Sequence, residues 1–320
     1  MKRQMISTRQ AAAALAGLFI TFVVAAAAPA QKVQAPGFYR FMLGDAEVTV
    51  LNDGVMPLEV GKLLTNLAPG ELETDLRQSF LGTSIDTSVN AFLVNTGSKL
   101  VLIDTGCGKV CAPTTGMLIP NLRAAGYQPE QVDEIYITHM HGDHLGGLQA
   151  DGKAVFPSAV VRVAQQEADY WLSKEQMAAA PDDRKGSFAA AMAAIAPYAA
   201  AGRFKPFGAD TVLVPGVRAV AARGHTPGHT VYVVESKGQR LVLWGDLMHV
   251  ASVQFPNPAV TVRFDSDSVA AAAARKRIFA DAAGNRDWVG GAHLSFPGVG
   301  HLRAAGSGYV FVPANYDLLH

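Results

Sequence analysis

Apolar and polar residues alternate along residues 41–51, where Val48 and Val50 are interleaved with Glu47 and Thr49. This two-residue period predicts a strand with one buried face, ending at Asn52-Asp53-Gly54. Residues 58–80 mix Pro, Gly and charges with short apolar pieces and predict a long loop or short surface helices. Two apolar runs, 89–94 and 99–103, flank Asn95-Thr96-Gly97-Ser98 and predict a hairpin whose second strand ends in Asp104-Thr105-Gly106. A helix over 115–125 stops at Gly126, and the run from Val132 through Ile137 predicts a short buried strand. A strand over 159–164 precedes helices over 165–173 and 187–201; the alanine-rich second one is a good helix former with a core-facing stripe.

The second half repeats this scheme. A strand over 217–221 leads into Arg223-Gly224-His225-Thr226-Pro227-Gly228-His229, and a hairpin follows over 230–235 and 240–244 around Lys237-Gly238. It ends at Gly245-Asp246. A helix over 266–283 starts at Ser266 or Asp267, either of which can cap it. A last short strand, 288–290, runs into Gly291-Ala292-His293. Hairpins followed by helices, twice over, predict an α/β fold with two packed sheets and helices outside. No low-complexity linker divides residues 31–320, so they form one domain.

The first thirty residues are of another kind. Lys2, Arg3 and Arg9 precede an apolar run from 11 to 28 that closes on Ala28-Pro29-Ala30, the pattern of a secretory signal with an A-x-A-type cleavage site. The run is short and alanine-rich, which favours a cleaved leader over a membrane anchor. Its removal takes three positive charges and no acid from a chain of formal net charge 0, leaving −3. Outside the leader no basic cluster suggests nucleic-acid binding. The expected product is exported, periplasmic or secreted, with no membrane association after cleavage. Export permits a disulfide between the only two cysteines, Cys107 and Cys111, while two free thiols fit the spacing equally.

The chemistry concentrates at His139-Met140-His141-Gly142-Asp143-His144. Histidines two apart at a strand end can face one cavity, and Gly142 lets the chain turn sharply before Asp143 and His144. Three imidazoles and a carboxylate within six residues form an N/O ligand set suited to zinc. Such density between an apolar strand and a helix start is not that of an ordinary solvated loop.

That motif, with Gly228-His229, Gly245-Asp246 and Ala292-His293 in the same order, resembles the ligand set of the metallo-β-lactamase superfamily. Leu93-Val94-Asn95-Thr96-Gly97, Ala124-Ala125-Gly126-Tyr127-Gln128-Pro129 and Leu294-Ser295-Phe296-Pro297-Gly298-Val299-Gly300-His301 resemble the exported methyl parathion hydrolases and their lactonase-like relatives. The resemblance covers nearly all of residues 36–316. It implies an αββα sandwich with two Zn²⁺ ions at one edge of the sheets, and a homodimer. By the same resemblance, His139, His141 and His229 would hold one zinc, Asp143, His144 and His293 the other, and Asp246 would bridge them. Two cations sharing a carboxylate can also share a hydroxide that attacks at neutral pH, so Asp143 and Asp246 are assigned to catalysis as well as to metal.

Four further residues have expected roles, Asp104 and His249 from the resemblance and His225 and His301 from their places beside His229 and His293. Asp104 resembles an aspartate that orients a ligand histidine. His225 is expected to be a structural hydrogen-bonder, and His301 either stands behind the ligands or lies at the surface. His249 occupies a position where lactonases of the superfamily commonly place a substrate-binding tyrosine, which makes it a candidate catalytic group. Against the methyl parathion hydrolases this chain has Gly142 for proline, Cys111 for a pocket phenylalanine, and His249 and Phe264 for leucines. The pocket expected from Cys111, Trp171, His249 and Phe264 is more polar beside the metals. It points to small neutral esters: a lactonase or arylesterase first, with phosphotriesters as secondary or alternative principal substrates. An iron-dependent oxidoreductase or a non-catalytic metal-binding protein on the same fold are the alternatives of other classes.

Overall fold

Val48, Val50, Phe92 and Val94 point to one side of their sheet and Leu51, Ala91 and Leu93 to the other, because successive side chains of a strand face opposite ways. Both sides are apolar, so both are covered. The computed structural model describes residues 28–320 apart from 209, 317, 318 and 320, and the predicted leader falls almost wholly outside the described residues. Six strands form the first sheet, in chain order Phe38–Leu43, Ala46–Glu59, Ser84–Asn95, Leu100–Ile103, Glu134–Tyr136 and Val160–Arg162. Seven form the second: Val212–Val214, Val217–Ala221, Thr230–Ser236, Gln239–Leu243, Trp288–Gly290, Val299–Ala305 and Gly308–Pro313.

One core lies between the sheets, where Val50, Phe92 and Ile103 meet Tyr232, Leu241 and Val299. A second core joins the outer face of the first sheet to helices Leu118–Ala124, Gln165–Trp171 and Asp182–Ala200 through Leu122, Trp171, Phe188 and Ile195. A third joins the second sheet to helix Ser268–Asn285 through Ile278, Phe279 and Ala282, spaced three and four apart on one helix face. The layers are therefore helix, sheet, sheet, helix, as expected. Among the described residues no helix is long and apolar enough to cross a membrane.

Helical crossovers make three strand pairs parallel: Leu100–Ile103 with Glu134–Tyr136, Glu134–Tyr136 with Val160–Arg162, and Gln239–Leu243 with Trp288–Gly290. Their carboxyl ends send out the loops that begin near Asp104, Ile137, Trp244 and Gly291. Ligands of open α/β sheets bind at such ends.

Two local expectations are corrected. The strand predicted over 41–51 is two strands joined at Gly44, with Leu43 opposite Ala46. The second continues through Asn52-Asp53-Gly54, whose turn-forming residues are absorbed as a bulge where the register shifts between Asn52 and Gly54. Tertiary bonds make the bulge worthwhile: the buried Asp53 carboxylate accepts from the N–H groups of Cys107 (2.8 Å), Gly116 (3.2 Å) and Leu118 (2.9 Å). The closing hairpin, Val299–Ala305 with Gly308–Pro313, was not predicted, because the first strand alternates weakly and Tyr309-Val310-Phe311-Val312 in the second is an unbroken apolar run without a two-residue period. Helix Ser268–Asn285 begins at its cap Asp267, whose side chain accepts from Ala270 N–H.

Candidate metal centre

Asp104 closes strand Leu100–Ile103 in the left-handed backbone region (φ +60°), and its carboxylate faces the neighbouring strand's exit. It accepts bonds from the N–H and hydroxyl of Thr138, and it lies 2.8 Å from Nδ1 of His144. Thr105 N–H donates to the His144 carbonyl at 2.7 Å. The imidazole of His144 is thereby fixed with Nε2 facing inward, an outer carboxylate orienting a ligand-type histidine. The Gly142–Leu145 turn of helix brings Asp143 to the same place. His293, from the far sheet, is oriented by its Nδ1–H donating to the Ser88 carbonyl at 2.9 Å.

The side chains form two groups sharing one carboxylate. In the first, Nε2 of His139 and Nε2 of His225 stand 3.0 and 3.1 Å from Nδ1 of His141. Both Nε2 atoms also face Asp246 Oδ2, at 3.5 and 3.2 Å. In the second, Nε2 of His144 and Nε2 of His293 lie 3.0 and 3.1 Å from Asp246 Oδ1, and 3.4 and 3.3 Å from Asp143 Oδ2. Within each group the candidate ligand atoms lie within 4.8 Å of one another. Asp246 thus turns one oxygen to each group.

The donor set fits a pair of divalent cations. Three converging imidazole nitrogens cannot all satisfy one another by hydrogen bonds, and the 3.0 Å approach of His144 Nε2 to Asp246 Oδ1 is not aligned as one, which leaves both buried atoms in ionic contact only. Burial, reinforced by neighbouring histidines, holds His139 well below the ordinary histidine range and His141 at about 3, so their lone pairs are free. Burial opposes charge on His225 and His293 too, but the carboxylates beside them prevail, raising His225 to about 9 and His293 to about 10. Burial likewise opposes charge on Asp246, yet the surrounding histidines hold it well below the carboxylate range. Those protons balance the buried carboxylates, and cations would displace them.

His225 and His229 exchange the roles expected from the sequence. His229 Nε2 accepts the Asp246 N–H (3.1 Å) and its Nδ1–H donates to the Ala222 carbonyl (3.0 Å). Both ring nitrogens are therefore committed to the backbone. His225 faces the first group instead, with Nδ1 3.0 Å from Asp265 Oδ1. The sequence offers both rings on one tight turn and does not say which points inward. Asp265 was missed because it lies in a stretch that signals only a helix start. Glu167, a buried carboxylate behind the two ligand loops, had no motif to mark it.

The remaining expectations divide. Asp104 stands where expected. Of the two places considered for His301, the one behind the ligands is excluded: the half-buried ring packs on Trp288 at 4.2 Å and its Nδ1–H donates to the Asp287 carbonyl, on the closing strands of the second sheet. Cys111 does not line the pocket either; it is exposed and disulfide-bonded to the buried Cys107, with Cα atoms 5.6 Å apart. A cavity of about 730 Å³ opens over both groups and contains Trp171, His249 and Phe264 in its walls. Trp171 packs edge-on against His141 at 5.3 Å. His249 lies with Nε2 3.0 Å from Asp246 Oδ2, stacks on His293 at 5.3 Å, and has its Nδ1 buried without a partner. Met56, Leu58 and Tyr170 add apolar wall, and Arg184 and Arg263 add charge.

Known proteins share this frame. Two N-acyl homoserine lactonases are similar over part of their length: one from Bacillus sp at 28% identity over 146 residues (46% of this chain, 50% of the relative), another from Bacillus cereus at 25% over 150 residues (47% and 52%). The chain thus spans about half the length of the curated relatives it matches. Among solved structures, the hydrolase AbOPH of the beta lactamase superfamily is 36% identical with a TM-score of 0.85, over 89% of this chain and 100% of that one. AidC, a dizinc quorum-quenching lactonase, is 29% identical with a TM-score of 0.81, over 88% and 99%. The model of the metallo-beta-lactamase superfamily matches residues 85–284, more than half of the sequence and most of the strands and loops that build the two ligand groups, and the chain belongs to that superfamily.

Proposed function

We propose that this protein is a hydrolase of small neutral esters, foremost a lactonase or arylesterase, that works with two zinc ions and can act on phosphotriesters secondarily. The observation that carries this reading is the division of Asp246, one oxygen to each histidine group, at the floor of an open cavity. His139, His141, His225 and Asp246 would hold one cation, and Asp143, His144, His293 and Asp246 the other. A bound pair of such cations supplies water activation and Lewis-acid polarisation of the scissile carbonyl or phosphoryl group.

The chain's own residues do the rest. Met56, Leu58, Trp171 and Phe264 offer apolar surface to an acyl or aryl group and keep water from it. The His249 ring, within reach of Asp246 Oδ2 and held by burial below the ordinary histidine range, carries one N–H and can direct it from Nε2 as a hydrogen bond to the oxygen that becomes an alkoxide when the ester opens. Likeness to AidC along most of both chains supports the lactone as first substrate. Export, read from the leader, accords with the Cys107–Cys111 disulfide.

A substrate panel on zinc-loaded protein tests the proposal, with lactones, aryl esters, phosphotriesters and β-lactams compared by kcat/KM and metal content measured by mass spectrometry. Lactone or aryl-ester turnover abolished by chelation and restored by zinc is the expected result. Turnover confined to β-lactams, or ester turnover indifferent to metal, would refute it.

A further inference from the structure

Glu167 belongs to helix Gln165–Trp171, is fully buried, and stays out of the cavity. Its Oε1 accepts the N–H of Met140 at 2.9 Å, while Oε2 accepts the hydroxyl of Thr226 at 2.8 Å and the N–H of Gly228 at 2.7 Å. Met140 sits between His139 and His141, and Thr226 directly follows His225. One carboxylate therefore spans the two separate loops whose three imidazoles converge on the first group. All three partners are donors, so only a group that accepts at every position satisfies them. The approach is close: a Cβ on Gly228 would lie 2.4 Å from the Glu167 nitrogen, so the loop rests directly on the helix.

The second group has different anchors. Asp104 orients His144, the Ser88 carbonyl orients His293, and neither touches Glu167. Burying a carboxylate costs stability unless its bonds return it; here they return it at one half of the site only.

We propose that Glu167 is a positioning residue that sets the separation of the His139–His141 and His225 loops, and with it the zinc affinity of the three-histidine group but not of the Asp143–His144–His293 group. The inference rests on the two-cation reading of the site. In Glu167→Gln the amide NH₂ must face one of three donors, so the loops part.

Zinc titration of the full chain against a chromophoric chelator resolves the two groups when each is isolated by a background substitution. His293→Ala disables the second group and His141→Ala the first. Adding Glu167→Gln is expected to weaken zinc roughly 10–100-fold in the His293→Ala background, as for other groups that orient ligands, and less than about threefold in the His141→Ala background. Equal weakening in both backgrounds, or none in either, would overturn the proposal. If Glu167→Gln does not fold, Thr226→Val decides, since it removes one of the three bonds and keeps the charge. The same selectivity is expected with a smaller loss, roughly two- to tenfold, and its absence overturns the proposal. Wild-type protein binding fewer than two zinc ions would refute the two-cation reading itself, whereas two tight zinc ions unaffected by Glu167→Gln would refute this proposal alone.

Discussion

Replacing His225 and His229 separately by alanine distinguishes a ligand from a structural histidine four residues away. His225 presents Nε2 to Asp246 Oδ2 and His141, so His225→Ala leaves the first group two imidazoles and one carboxylate oxygen. Loss of a group that merely orients a ligand costs about 10–100-fold in metal affinity, so loss of the ligand itself is expected to exceed ~100-fold. His229→Ala instead strips partners from the Asp246 N–H and the Ala222 carbonyl, both bonded to its ring. Each buried group left unsatisfied costs about 1–3 kcal/mol, giving roughly 2–6 kcal/mol for the pair. At about 2–4 °C per kcal/mol, Tm of the metal-free protein should fall by about 4–24 °C. The assay is zinc content by mass spectrometry after dialysis against a weak chelator, beside thermal unfolding of metal-free protein. His225→Ala should retain one zinc, and His229→Ala two with a lowered Tm. Two zinc ions in His225→Ala with one in His229→Ala would refute the assignment and restore the order expected from the sequence.

Asp246→Asn exchanges one carboxylate oxygen for an amide and removes the shared charge, so both zinc equivalents should weaken together in a chelator competition; loss of one alone would remove its bridging role. His249→Leu should lower kcat/KM for lactones and alkyl esters by roughly 10²–10⁴ while leaving aryl phosphotriesters, whose leaving groups need little such help, unchanged or faster. Equal losses on both substrates at saturating zinc would mean that His249 only supports the metal site. Unreduced, unfolded full chain should show no free thiols, and Cys111→Ser should cost about 2 kcal/mol from the short closed loop without altering substrate preference, because Cys111 is exposed outside the cavity. A changed ester-to-phosphotriester ratio in Cys111→Ser would contradict that placement.

Sequence alone determined the layers, because the signals for them are local. Period-two alternation at Val48–Val50, the Asn95–Ser98 hairpin turn and the helix stop at Gly126 each depend on a few neighbouring residues. The dense histidine motif after an apolar strand likewise announced the metal chemistry, since no core or solvent role explains so many imidazoles together. Tertiary structure decided which ring of the His225–His229 turn faces inward, because that depends on where Asp246 and Asp265 arrive from other parts of the chain. It also decided that Asn52-Asp53-Gly54 is a bulge within a strand, since the bonds that hold Asp53 come from residues 107–118. Glu167 is the clearest case: a lone acid on a short helix carries no signal by itself. It becomes meaningful when two loops separated by more than eighty residues bring their N–H groups to it, for hydrogen bonds depend on distance in space and not along the chain.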